Sequence, residues 1–449
     1  MTDSFREEIR QNLNLALPLV SAHIAVMMMG LVDTAIVGHF SGPLLGAVGI
    51  GGALAFAINT PATGLAFALE ALCSQAVGAG STARAWAWRT LGVRLSVLAS
   101  IPLSLLALVI AQGLVLVGVS DYLRENTVSY LLGRLPGSVL FTVYLCDKAF
   151  LSALGKTRPV LIAAIVANVF NFIVSIVLVF GDVILVKIGL PAVGLPSFGV
   201  LGAGVGTSVS SLVMVWMMRP AARALTKDVE NVQVEAGTIL RLGIPLGFQL
   251  MAEVGVFTAV AVIAGKINET AAGAHQVAIH LSSLTFVAAM GMAGATAVRV
   301  GVAVGAQRSG AARRAGWVGA LLTTGFMSVT GACFLLFPEA LARIFTDDIA
   351  IIPQTASLIQ IGGAFQLFDG LQCLMSGALR GAGDVRFPFV ANVLAHWGIG
   401  FPTALLLAFT VGLGANGLWL GLTAGLIVIS LLLTVRFIWV TGRTIHSVG

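Results

Sequence analysis

The chain has 449 residues, of which 58% are hydrophobic and only 10% are charged. A soluble globular protein of this length would carry charge on about a quarter of its residues, so that class is excluded; runs of about twenty apolar residues, long enough to cross a bilayer, recur instead. The net charge of +6 invites nucleic acid as a partner, but the basic residues gather in alternate loops, which explains the balance without one.

Residues 1–12 are charged (Asp3, Arg6, Glu7, Glu8, Arg10) and lack the small-residue cleavage site of a signal peptide, so they are expected to remain on the mature protein. Twelve apolar segments follow, near 13–38, 45–77, 92–118, 127–152, 159–181 and 198–218, then 239–265, 273–303, 316–338, 352–379, 387–410 and 415–440. The fold class predicted is an all-α polytopic membrane protein of twelve transmembrane helices. The 53 glycines fit that class, because membrane helices pack through small residues. Pro18, Pro61, Pro136, Pro245 and Pro402 fall within helices or at their starts and are candidates for bends. Cys73, Cys146, Cys333 and Cys373 lie in apolar segments at unrelated spacings and suggest neither a disulfide framework nor a metal site.

The second half repeats the first. Adding 227 to a first-half number carries Pro18 to Pro245, Gly38 to Gly265, Gly46 to Gly273, Gly64 to Gly291, Gly78 to Gly305 and Gly92 to Gly319. Six segments per half make both halves enter from the same side, so the predicted architecture is two six-helix bundles related by a pseudo-two-fold axis along the membrane normal. They span 1–218 and 239–449, joined by a linker at 219–238. With the N-terminus inside, only Arg124, Lys187, Lys266 and Arg343 of the 25 Lys and Arg fall in outer loops, and Arg134 lies within a helix. Cytoplasmic termini and a cytoplasmic linker are therefore expected.

Few acids lie within the membrane: Asp33, Glu70, Glu253 and Asp369. Such charge is costly, so an intramembrane carboxylate faces a partner or a wet cavity and is a functional candidate by default. Glu253 stands near the middle of an apolar helix that begins around Pro245; its plain reading is a protonated acid bonded between helices. A carboxylate in a partly dry site can hold a proton or a metal cation in turn, as a coupled exporter requires. Asp147, beside Lys148, reads as half of a local ion pair.

Several motifs carry a resemblance. Val32-Asp33-Thr34-Ala35-Ile36-Val37-Gly38, Ala274-His275-Gln276-Val277-Ala278, Ala297-Val298-Arg299-Val300-Gly301 and Leu379-Arg380-Gly381-Ala382-Gly383-Asp384 resemble the multidrug and toxic compound extrusion (MATE) transporters, NorM-like branch. Ala68-Leu69-Glu70-Ala71-Leu72-Cys73-Ser74-Gln75-Ala76 is closer to the eukaryotic branch. The resemblance implies a V of two bundles around a central cavity and export of organic cations or other amphipathic drugs in exchange for H⁺ or Na⁺. It places cation coupling at Glu253 and Asp369, with Asp33 either in that task or facing substrate. Gln276 and the loop pair Asp347-Asp348 would face an organic cation; Asp347-Asp348 also reads as a solvated helix cap. Glu70, Asn168 and Asn171 are the remaining candidates for the cavity lining, and the two asparagines also read as interhelix ties. Phe365, one turn before Asp369, stands where relatives can carry Tyr, which weakens the case for Na⁺ at Glu253 and Asp369 and leaves H⁺ open. His23, His275 and His280 read first as interhelix hydrogen bonds.

The expected protein is a monomer in the cytoplasmic membrane, with no cofactor beyond the coupling ion. A flippase for lipid-linked oligosaccharides shares the two-bundle layout, but its cavity should hold several cations where this chain offers acids. An intramembrane enzyme would need a nucleophile–base pair or metal cluster, and neither HExxH nor GxSxG occurs.

Overall fold

The computed structural model describes every residue except 1, 188, 227–231, 346, 347, 350, 444, 446 and 449. Twelve long helices follow in order: α1 Thr2–Phe40, α2 Leu45–Gly78, α3 Thr82–Gln112, α4 Asp121–Ala153, α5 Arg158–Phe180, α6 Gly199–Ala224, α7 Ala236–Ile267, α8 Glu269–Gly305, α9 Ser309–Leu336, α10 Ile352–Gly381, α11 Arg386–Thr410 and α12 Gly414–Thr441. Two short helices, Asp182–Lys187 and Pro338–Arg343, lie in loops. No strand occurs among the described residues.

Eleven of the twelve are apolar and long enough to span a bilayer; α10 falls short because its sequence is interrupted by Gln354, Gln360, Gln366, Asp369, Gln372 and Arg380. Leu98, Val109, Trp216, Val329 and Val435 are all at least 65% exposed, as side chains in contact with lipid tails should be. The interior is built chiefly of alanine and glycine, which lets backbones approach closely.

Helix ends follow local chemistry. The Asn268 side chain accepts from Ala271 N (2.7 Å) and caps α8. In the loop after α5, Val193 N and Gly194 N donate to Asp182, and the Val193 bond foremost holds its carboxyl below the ordinary carboxylate range. Pro18, Pro61, Pro136 and Pro245 lie inside helices. α11 is irregular: it is π-helical over Leu394–Gly400 and again over Leu406–Thr410, with Pro402 between.

By contact, the chain forms two compact units, one of residues 1–20, 70–80 and 248–449 and the other of 21–69 and 81–247. Compared with the division at 218 and 239, residues 1–20 and 70–80 group with the second half, and 239–247 with the first. Within the second unit, a Cβ on Gly64 of α2 would come to 2.5 Å from Gly243 O, so α2 and α7 touch backbone to backbone. In the first, a Cβ on Gly291 of α8 would lie 2.6 Å from Val20 Cα of α1. The shift of 227 that carries Gly64 to Gly291 also carries Val20 to Gly247, the glycine whose backbone sits opposite Gly64.

Candidate functional site

In the unit of residues 21–69 and 81–247, the acid is Asp33 on α1, fully buried. It accepts from Asn171 Nδ2 (3.0 Å) and Ser175 Oγ (3.1 Å), one turn apart on α5, and from the Thr207 hydroxyl on α6. Arg134 on α4 acts on Asp33 electrostatically and donates to the Tyr130 hydroxyl at 2.8 Å. Asp33 and Asn171 thus meet directly. Asn168, one turn away, ties α5 to α1 by donating to Ala25 O (2.6 Å).

In the other unit, three helices converge on Glu253 of α7. Gln372 Nε2 of α10 donates to Glu253 Oε1 at 3.0 Å, and Asn392 Nδ2 of α11 to Oε2 at 3.4 Å. Asp369 lies one turn before Gln372 on α10, close enough for the charge of Glu253 to act on it. Trp397 Nε1 fixes α11 against α7 by donating to Ala252 O (2.9 Å). Asp369, Gln372 and Asn392 are all buried, and Gln372 Oε1 and Asn392 Oδ1 have no hydrogen-bond partner among the described residues. Neither carboxylate pairs with a Lys or Arg among those residues.

Glu70 is different. It lies on the part of α2 that belongs to this unit, and Arg380 NH2 pairs with its Oε2 at 2.9 Å, the carboxylate buried and the guanidinium mostly so. Between that pair and Glu253, Gln249 of α7 donates to Ser376 Oγ of α10 at 3.0 Å. Gln366, Asp369, Gln372 and Ser376 therefore form one buried polar stripe along α10 that ends at the half-buried Arg380.

The other candidates scatter. Gln276 is exposed on α8 and, among the described residues, bonds only His280, one turn on (2.9 Å). Asp348 is exposed, and its carbonyl accepts from Ile351 N and Ile352 N at 3.1 Å; Asp347 lies outside the described residues. His275 Nδ1 accepts from Trp419 Nε1 (3.1 Å). Asp147 pairs with Arg89 of α3 (2.6 Å), not with its neighbour, because adjacent helical residues point apart; Lys148 Nζ instead lies 3.5 Å from His23.

Sequence reasoning missed four of the groups that complete these sites. Ser175 and Gln372 were within reach, at four residues after Asn171 and three after Asp369. Thr207 and Asn392 carry no local signal, since only the packing of α6 and α11 brings them in.

A helical membrane chain of this layout, with Glu253 and Asp369 meeting no Lys or Arg among the described residues of a repeated fold, fits the transporters. The comparisons make that specific. The MatE family model matches residues 18–177 and again 245–406, starting on Pro18 and Pro245, the pair the repeat aligns. The probable multidrug resistance protein NorM of Xanthomonas axonopodis pv. citri is 32% identical over 443 residues, covering 97% of this chain and 95% of that protein. The multidrug resistance protein NorM of Burkholderia vietnamiensis is 33% identical over 440 residues, covering 94% and 92%. Among solved structures, the eukaryotic MATE transporter AtDTX14 superposes with a TM-score of 0.86 at 23% identity, covering 97% of this chain and 96% of that one. A mutant of the Vibrio cholerae MATE transporter VcmN gives 0.85 at 18%, covering 97% of each chain. The chain belongs to the MatE family of multidrug efflux transporters, and its fold is the twelve-helix, two-bundle fold of MATE proteins.

Proposed function

We propose that the protein is a secondary antiporter of the cytoplasmic membrane that exports organic cations or other amphipathic compounds in exchange for H⁺ or Na⁺, by alternating access. The observation that carries the reading is the Glu253–Asp369 pair: two acids that act on each other electrostatically, Glu253 held by Gln372, with no cationic partner among the described residues. Two such carboxylates repel when both are charged, so a bound proton or cation is the inexpensive way to neutralise them. The open acceptors Gln372 Oε1 and Asn392 Oδ1 suit either ion, as oxygen donors for Na⁺ or as acceptors for water around a proton. Phe365 supplies no hydroxyl one turn before Asp369, which favours H⁺. Asp33 serves the substrate side in this reading, with its donors Asn171, Ser175 and Thr207 holding it in place. The termini are cytoplasmic and the working unit is a monomer.

The test is efflux of a fluorescent organic cation from inverted vesicles, with pH and Na⁺ gradients imposed separately. Glu253→Gln keeps the shape and loses the exchangeable charge, so it should abolish gradient-driven transport while membrane insertion persists. Asp369→Asn should do nearly the same, and the double variant little more, because groups sharing one ion are not additive. Normal transport by Glu253→Gln under both gradients would show that the acid is structural.

A further inference from the structure

We infer that His396 on α11 carries the proton between the Glu253–Asp369 pair and the outer face of the membrane. The inference rests on the coupling reading above and names its ion as H⁺. His396 is 1% exposed, and neither ring nitrogen has a hydrogen-bond partner among the described residues. The other described histidines all have one: His23 meets Lys148, His39 bonds Ala35 O, His275 accepts from Trp419, and His280 bonds Gln276. A buried imidazole with both nitrogens unbonded is disfavoured in a folded protein and calls for a specific explanation.

Its position supplies one. His396 stands one turn after Asn392, the residue that donates to Glu253. Its ring lies 6.3 Å from that of Phe257, one turn after Glu253 on α7, and Phe257 lies 6.1 Å from Phe365, one turn before Asp369 on α10. The helix directions put all three on the same side of the acid pair: α7 and α11 run outward and α10 inward in the proposed orientation. Phe257, Phe365 and His396 thus make a layer directly outside the acids, and Trp419 continues it at 5.2 Å from Phe365. The imidazole is the only side chain of that layer able to take up a proton. It sits in the first π-helical stretch, where Phe401 N donates to His396 O across five residues, and such irregular turns recur at functional sites.

The same compact unit holds further titratable groups on its helices: Glu253 on α7, Asp369 and Cys373 on α10, and His275 on α8. α12 brings none, its single charged residue, Arg436, being near its far end. The step balances simply. A hydronium ion on the outer side gives its proton to an imidazole nitrogen, forming imidazolium and releasing water. The imidazolium then gives a proton to the Glu253 carboxylate through one water, which spans the helical turn of about 5.4 Å between the layers; neutral imidazole and a carboxylic acid result.

The experiment uses the full-length protein in liposomes, with ethidium as the transported probe. Wild type, His396→Gln, His396→Asn and Glu253→Gln are compared in ΔpH-driven ethidium efflux across a range of pH, in ethidium self-exchange at equal pH, and in ethidium binding. Both His396 variants should slow ΔpH-driven efflux at least ten-fold and flatten its pH profile, while self-exchange and binding stay within two-fold. Wild-type rates and an unchanged pH profile in His396→Gln, with Glu253→Gln inactive, would overturn the role of His396 alone. Wild-type rates in Glu253→Gln would instead overturn the coupling site. Loss of ethidium binding in both His396 variants would assign the residue to structure and equally overturn the inference, as would transport driven by Na⁺ and not by ΔpH.

Discussion

Glu70 and Glu253 are both acids on membrane helices of one compact unit, and a guanidinium separates their chemistry. Arg380 lies 2.9 Å from Glu70, while among the described residues Glu253 receives only amide N–H groups. Removing one member of a buried ion pair leaves the other charged in a medium that cannot solvate it, at a cost of about 3–5 kcal/mol. Arg380→Met should therefore lower the unfolding temperature of the purified protein sharply, and Glu70→Leu in the same chain should recover most of the loss. Equal damage from the single and double variants would mean that the pair is not the source. All four intramembrane acids were legible in the sequence, because charge inside an apolar run stands out. Their partners from other helices were not: Asn392 and Thr207 are ordinary polar residues on helices distant in the chain. Nor does sequence spacing show that Asp147 reaches across to Arg89.

At the scale of the helix, periodic apolar runs made all twelve spans legible, although their edges extend by several residues where polar first turns continue the helix, as at Thr82–Gly92 and Glu269–Gly273. The π-helical turns of α11 have no comparable signal; Gly398, Gly400 and Pro402 mark only a place where α-helical bonding is weak. Glycine carries the packing. Ala at Gly64 would press its methyl into the α7 backbone at Gly243 and Gly247, and overpacking of this kind costs about 1–3 kcal/mol. Gly30, with nothing within 4 Å of a built Cβ, is the control. Gly64→Ala should melt several degrees below wild type in a thermal-shift assay in detergent, with Gly30→Ala at or above it. Matching melting points would refute close α2–α7 packing.

For the molecule as a whole, the aligned glycines of the repeat have a geometric meaning. Where α2 meets α8, a Cβ on Gly78 would lie 2.8 Å from Val302 C, and one on Gly305 would lie 2.8 Å from Gln75 Cα. The shift of 227 exchanges these two contacts, since it takes Gln75 to Val302 and Gly78 to Gly305. Ser74 faces Gly301, its own counterpart. A residue that touches its own image, flanked by reciprocal pairs, is the mark of an isologous interface between identical subunits. The single chain thus contains the contact of a homodimer, written once in each half. Such an interface forms between separate partners as readily as between tethered ones, apart from the concentration the tether supplies. Two plasmids, one encoding the chain through α6 and the other from α7 onward, should therefore yield a complex that copurifies through a tag on either half. If the halves are each inserted but never copurify, the covalent connection is essential and the α2–α8 contact is too weak to act alone.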